Sequence, residues 1–261
     1  MKTLTISVPS GTYTKTMFVE ILSEEKNIEI FYSTDGSFPQ KKYFGPFAVR
    51  KSSKIKTVTK KNDSFSEIEI SDIKIIKSSK PKHGTVAIIG GAEHCKEIHE
   101  KLVENVGGKE NVRIAFLPTS SSAPYSSGMD RLVRFRELAG VEIDESKIPE
   151  LKGKKDFSNL NNQSRFWIVP VAIIDDENTG ERVYDDNTNP LANESSFPDI
   201  DESEWKQNAK NLNIAKKLLE EDYNLVFMTG GNQARYLKCL YYEDYTETPL
   251  LSAIREILEE K

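Results

Sequence analysis

Three short stretches of this sequence have residue types and spacing suited to chemistry. They are Gly90-Gly91-Ala92-Glu93, Pro118-Thr119-Ser120-Ser121-Ser122 and Thr229-Gly230-Gly231-Asn232-Gln233. Each follows an apolar run, at the place where a strand would end. Glycines there strip the backbone of side chains, so amide N–H groups can point at an anion or a developing oxyanion. Asn232 and Gln233 place two carboxamides at the same edge. A nucleotide phosphate is the rival ligand for bare backbone. Yet neither glycine stretch matches G-x-G-x-x-G or G-x-x-x-x-G-K-[ST]. An ordinary turn would explain either glycine pair alone, so the reading rests on the order and separation of all three.

The remaining reactive groups are sparse. Cys95 and Cys239 form no disulfide framework and read as buried free thiols. His83, His94 and His99 are the only histidines, and five residues on a helix turn His94 and His99 apart. Cys95 and His99 share a helix face, but two ligands do not make a zinc site. No metal and no cofactor is expected. Asp175, Asp176, Glu177, Asp185 and Asp186 read as a solvated loop, with a patch for a cationic ligand as the alternative. The chain has 261 residues, 37% apolar and 30% charged, with a net charge of -5. That balance predicts a soluble chain and argues against nucleic acid or an anionic membrane as partner. No window approaches 18 uncharged apolar residues, and the N-terminus lacks an apolar signal core. The expectation is a cytoplasmic protein, although a chain whose signal had been removed would read the same.

The elements that must position these residues fall into two domains. Residues 1–79 read as an all-β sandwich, with short alternating runs, a turn at Asp35-Gly36 and a break at Asn62-Asp63. Near Lys80 the pattern changes. "TVAIIGG" reads as a continuous apolar strand, and "AEHCKEIHEKLVENVGG" as a helix ending on Gly107-Gly108. "VRIAFLPTSSS" and "VEIDESKI" read as strands around a helix that Gly140 caps. "FWIVPVAII" reads as a strand leading to a turn at Asn178-Thr179-Gly180. Ser203 is expected to cap the helix "EWKQNAKNLNIAKKLLEED", and "YNLVFM" is the strand before Gly230. Strands alternating with helices predict a mostly parallel α/β sheet over residues 84–261, with sites beyond the strands' carboxyl ends.

The three stretches, in this order, resemble the cyanophycinase and peptidase E group of serine peptidases. The resemblance covers roughly residues 83–261 and rests on G-G-A-E, the small-residue turn at 118–122, and T-G-G-N-Q leading into Arg235. Asn232 stands where cyanophycinases usually carry Asp, the form nearer to peptidase E. The resemblance implies a flavodoxin-like sheet related to the class I glutamine amidotransferases. It implies that the Gly231 amide donates to the oxyanion and that Gly230, Asn232 and Gln233 contact substrate. Gly90, Gly91 and Glu93 would form the neighbouring wall, with Glu93 alternatively capping its helix. The group's nucleophile lies on a G-T-S-A-G elbow, and no G-x-S-x-G occurs in these 261 residues. The chain therefore reads as the N-terminal part of such an enzyme, inactive alone, with its nucleophile beyond Lys261. Peptides with β-linked Asp-Arg units or N-terminal Asp are the substrates implied. A sheet cut there leaves an unpaired edge, which a second chain could complete. A non-catalytic binding or assembly protein with a degenerate peptidase-like domain is the alternative. A cysteine nucleophile is disfavoured, because both cysteines fall within expected helices.

Residues 4–76 resemble the chitobiase/β-hexosaminidase C-terminal type of immunoglobulin-like domain. Gly11 and Tyr13, the run Ile30 to Pro39, Tyr43 to Pro46, and Ile55 to Thr57 carry that likeness. Tyr32, Tyr43 and Phe44 read as aromatic core in preference to a sugar platform.

Overall fold

The computed structural model describes residues 4–62, 64–77, 84–88, 96–121, 124–140, 150–151, 154–155, 165–172, 205, 208–231 and 233–260. Ten strands fill the N-terminal region, which is all-β. They are β1 (Leu4–Ile6), β2 (Gly11–Tyr13), β3 (Met17–Val19), β4 (Ile21–Ser23), β5 (Glu29–Ser33), β6 (Lys41–Lys42), β7 (Phe47–Val49), β8 (Ser53–Lys61), β9 (Ser64–Phe65) and β10 (Glu69–Ile75). The larger sheet runs β2-β10-β8-β5-β6 with β9 on β8, while β1 pairs with β4 and β3 with β7. Side chains alternate across each strand. Ile55, Ile73, Tyr32, Val19, Phe47 and Val49 therefore meet in one buried cluster. The turn expected at Asp35-Gly36 is present. Gly36 takes φ +81°, and the Asp35 carboxylate accepts from both the amide (2.9 Å) and the hydroxyl (2.6 Å) of Ser37. Those donors hold its carboxyl below the usual range. At the expected break after β8, Asn62 sits in left-handed space at φ 46°, and Asp63 lies outside the described residues.

The second part is built on β11 (Ile114–Leu117), which is parallel to β14 (Phe166–Ile168) on one side and β15 (Leu225–Met228) on the other. A strand buried on both faces must be apolar throughout, and I-A-F-L is. Ile114 and Phe116 pack with Leu132 and Phe135 of α2 (Pro124–Leu138). Ala115 and Leu117 face the opposite core with α3 (Leu212–Glu220), α4 (Gln233–Leu240) and α5 (Pro249–Glu260). Asn224 fixes the register at the strand entrance, since its side chain accepts from Arg113 N at 2.9 Å and its amide donates to Arg113 O at 3.1 Å. Helix α1 (Lys96–Asn105) ends as expected, with Gly107 and Gly108 at φ +98° and +82°. Their amides reach back to Glu104 O and Val103 O, which satisfies carbonyls that the helix end leaves open. Two further short strands, β12 (Glu150–Leu151) and β13 (Lys154–Lys155), pair with each other.

Two expectations need correction. Residues 84–88, expected as the first strand of the sheet, form no strand, and Val86 and Ile88 are 65% and 92% exposed. A strand has two hydrogen-bonding edges. β11 is paired on both sides, by β14 and β15, and residues 84–88 pair with neither outer strand, while Gly84 N donates to Leu258 O of α5 at 2.7 Å. The helix expected to begin after Ser203 begins instead at Leu212. Asn211 supplies the cap, accepting from Asn213 N, and a short-side-chain cap of this kind competes with helix continuation. Ser203, the strand expected at 141–148 and the turn at 178–180 lie outside the described residues.

A tyrosine cluster bears on pH stability. Burial pushes the Tyr43 hydroxyl up to about 12, and also raises those of Tyr32 and Tyr242, helped by Asp244 nearby. Below the ordinary value of 10 these groups are neutral in both folded and unfolded chains. Above it the unfolded chain ionises first, so stability present below pH 10 is lost as pH rises through the folded values. Urea unfolding at pH 9, 10 and 11 should show stability falling only above pH 10, by up to about 1.4 kcal/mol per pH unit per tyrosine.

Candidate functional site

The carboxyl ends of the three parallel strands meet through buried polar groups. The Thr119 hydroxyl donates to Val171 O at 2.8 Å, tying the turn after β11 to the segment after β14. Ser120 Oγ lies 2.7 Å from Thr229 O and 2.9 Å from Gly230 O, so its one proton bridges to the turn after β15. Arg235 Nη1 donates to Ser120 O at 2.9 Å. The Tyr236 hydroxyl sits 2.8 Å from Leu117 O and 2.9 Å from Thr229 O. Thr119, Ser120, Thr229, Arg235 and Tyr236 are all buried, which is tolerable because their polar atoms reach these carbonyls. Burial also raises the Tyr236 hydroxyl above its ordinary value, so it remains a donor.

This mesh sets the backbone at the glycines. Gly231 has φ +140°, and a Cβ there would lie 2.4 Å from Ser120 O, closer than any side-chain carbon can approach. Only glycine fits. Gly230 differs: a Cβ there would meet nothing within 4 Å. Gly230, Gly231 and Gln233 are exposed, and Gln233 opens α4. Among the described residues, the amides of Gly230 and Gly231 have no acceptor. Bare N–H groups beside a helix N-terminus present positive potential to solvent. Chemically, such an edge can hold a carboxylate or a carbonyl oxygen that gains negative charge.

Of the residues singled out in the sequence, the structure thus brings Gly230 and Gly231 beside Ser120, with Gln233 two residues on at the start of α4. Asn232, Gly90, Gly91 and Glu93 lie outside the described residues, as do His83, His94, Cys95, Ser122 and the acidic run at 175–186. Ser120 is 1% exposed, with its proton committed to carbonyls, so it is not offered to a substrate. His99 is enclosed by the rings of Phe135 and Phe227, and Cys239 is buried on α4. Tyr32 stacks on Phe47 inside the sandwich, a core role. Sequence reasoning missed Tyr236. Its signal was available: Arg235 and Tyr236 follow the glycines at the positions where α4 first turns inward. Among the described residues no three His, Cys, Asp or Glu are grouped to hold a metal ion, and no helix is long and apolar enough to cross a membrane.

Two clefts, of about 670 and 600 Å³, open elsewhere, at the junction of the sandwich with α3, α5 and the 246–247 turn. Neither is lined by residues 229–233. Size alone would favour them, but their charged rims are largely paired within the chain, as in Lys15–Glu220 and Arg50–Glu259. The glycine edge is the better candidate because its amides have no acceptor among the described residues.

Residues 8–70 match the family described as chitobiase/beta-hexosaminidase C-terminal domain, which supports an immunoglobulin-like assignment for the N-terminal strands. No curated protein and no solved structure matches the chain.

The two glycines make a paired test. Gly231→Ala should lower unfolding free energy by about 2 kcal/mol, from strain at positive φ and the clash with Ser120 O. Gly230→Ala should change it by less than about 0.5 kcal/mol. Urea titrations of both variants measure the contrast.

Proposed function

We propose that residues 84–261 are the N-terminal portion of a cyanophycinase-like serine peptidase, joined to a sandwich accessory module spanning residues 1–79. The observation carrying this reading is the exposed amide pair at Gly230-Gly231, which has no acceptor among the described residues, at the carboxyl end of a parallel strand just before Gln233. A peptide carbonyl seated there would have its oxygen against the Gly231 N–H, which strengthens as a tetrahedral intermediate forms. Gln233 and Asn232 would hydrogen-bond the peptide on either side of the scissile bond, with Gly90, Gly91 and Glu93 opposite. The attacking serine is not supplied here: no G-x-S-x-G occurs in the sequence, and Ser120 is buried. A flavodoxin-like order, with a second chain or further residues completing the sheet and the site, follows from the same reading. The substrate class is a small or unusual peptide carrying β-linked Asp-Arg or an N-terminal Asp.

The alternative is a binding or assembly protein whose α/β part has no reaction to perform. The large clefts at the junction, away from the glycine edge, favour that second reading.

Titration of the chain with β-aspartyl-arginine, followed by calorimetry, tests the proposal. Binding without turnover is expected, weakened about tenfold by Gln233→Ala, the loss of one buried hydrogen bond, or ~1.4 kcal/mol. A fluorophosphonate should label a reading frame that includes a G-T-S-A-G elbow and leave the 261-residue chain unlabelled. Equal affinity of wild type and Gln233→Ala, or labelling of this chain, would overturn the assignment.

A further inference from the structure

In a sandwich strand, one side chain points into the core and the next points to water. Strands β3 and β7 break that rule. Val19 and Phe47 face the sandwich core, while their neighbours Phe18 and Ala48, paired directly across the strands, point outward. Phe18 is nonetheless only 9% exposed. It shares one buried cluster with Leu250, Ala253 and Ile257 of α5 and with Tyr236 and Leu240 of α4, and α5 packs against β7, so α5 covers the outer face of the sandwich.

Polar ties surround this contact. The Tyr242 hydroxyl donates to Pro46 O at 2.6 Å, and the adjoining Gly45 leaves room for the ring, since a Cβ there would come within 2.7 Å of that hydroxyl. The connector is pinned as well, with Gly84 N donating to Leu258 O at 2.7 Å. Three ion pairs span the junction: Lys15–Glu220, Lys41–Asp244 and Arg50–Glu259. Each has its cation on the sandwich. That matches the charge distribution, thirteen Lys and Arg against nine Asp and Glu in residues 1–79, and twenty-three against thirty-two in the rest. Exposed pairs of this kind are weak, so they orient the contact while the apolar burial holds it.

Helix α4 runs from the glycine edge to a joint with α5, where the amide and hydroxyl of Thr248 donate to Leu240 O at 2.9 and 3.0 Å. Its inner face meets Phe18's cluster, and from the same helix Tyr236 and Arg235 hold the carbonyls of Thr229, Leu117 and Ser120.

We infer that the sandwich is a fixed brace for α5 and, through the Leu240–Thr248 joint and Tyr242, for α4, and that Phe18 is a positioning residue for the 229–231 turn. A module swinging on a tether would leave Phe18 and Ala48 in water. The inference does not depend on the peptidase reading, since it concerns what holds the turn and not what the turn binds.

Hydrogen exchange by mass spectrometry on the whole chain tests it. Phe18→Lys should raise exchange of amides 225–240 at least tenfold, while β8 and β10 keep their protection. Phe18→Leu should restore near wild-type exchange at 225–240. Should Phe18→Lys unfold the chain, Tyr242→Phe serves instead, with a two- to threefold rise expected over the same amides. Unchanged exchange at 225–240 in whichever variant stays folded would overturn the brace. Failure of the wild-type chain to bind the peptide, with the exchange pattern as expected, would instead count against the peptidase reading alone.

Discussion

Everything in the α/β part depends on four residues, Ile114 to Leu117. Their backbone bonds to a neighbour on each side, and their side chains alternate into two separate cores. Because both edges and both faces are occupied, this strand fixes where β14 and β15 stop. It therefore fixes which residues meet beyond their carboxyl ends. Residues 84–88 stay outside the described sheet, although their apolar sequence reads as strand. A strand pattern describes what a segment could do, and pairing depends on where the rest of the fold places it.

Beyond those carboxyl ends the chain must turn, and the turns bury hydroxyls and a guanidinium. Each would be costly without a partner. The solution is mutual: Ser120, Thr119, Arg235 and Tyr236 donate to carbonyls released where the ladder ends. The close approach of Ser120 to the second turn then requires glycine at 231. Gly230 and Gly231 are exposed and their amides have no acceptor among the described residues, and that is what gives this edge its chemical potential. The serine most conspicuous in the sequence turns out to be mortar for the turns, and the glycine beside it remains the presented surface.

The sandwich extends the same logic outward. An apolar residue at an outward position is a defect in an isolated sandwich and a contact in a docked one. Phe18 and Ala48 are contacts, with α5 as their cover. The clefts flanking this junction arise because a flat strand pair meets the rounded backs of two helices, leaving grooves on either side.

Much of this was legible in the chain itself. The all-β character of the first part, the turn at Asp35-Gly36, the helix closed by Gly107-Gly108 and the strands at 114–117 and 225–228 follow from local pattern. Local pattern suffices there because turn chemistry and side-chain periodicity act over a few residues. The glycine pair and its exposed partner Gln233 were legible for the same reason. The start of α3 at Leu212 was not, since several polar residues could have capped it and only the fold selects Asn211. The roles of Ser120 and Tyr236 were hidden too, because their partners lie 109 and 119 residues away. Sequence alone determined which segments extend or coil and where backbone is left bare. Tertiary structure decided which edges were already taken, which hydroxyls were consumed and which apolar faces found cover, because each of those outcomes depends on groups that only folding brings within reach.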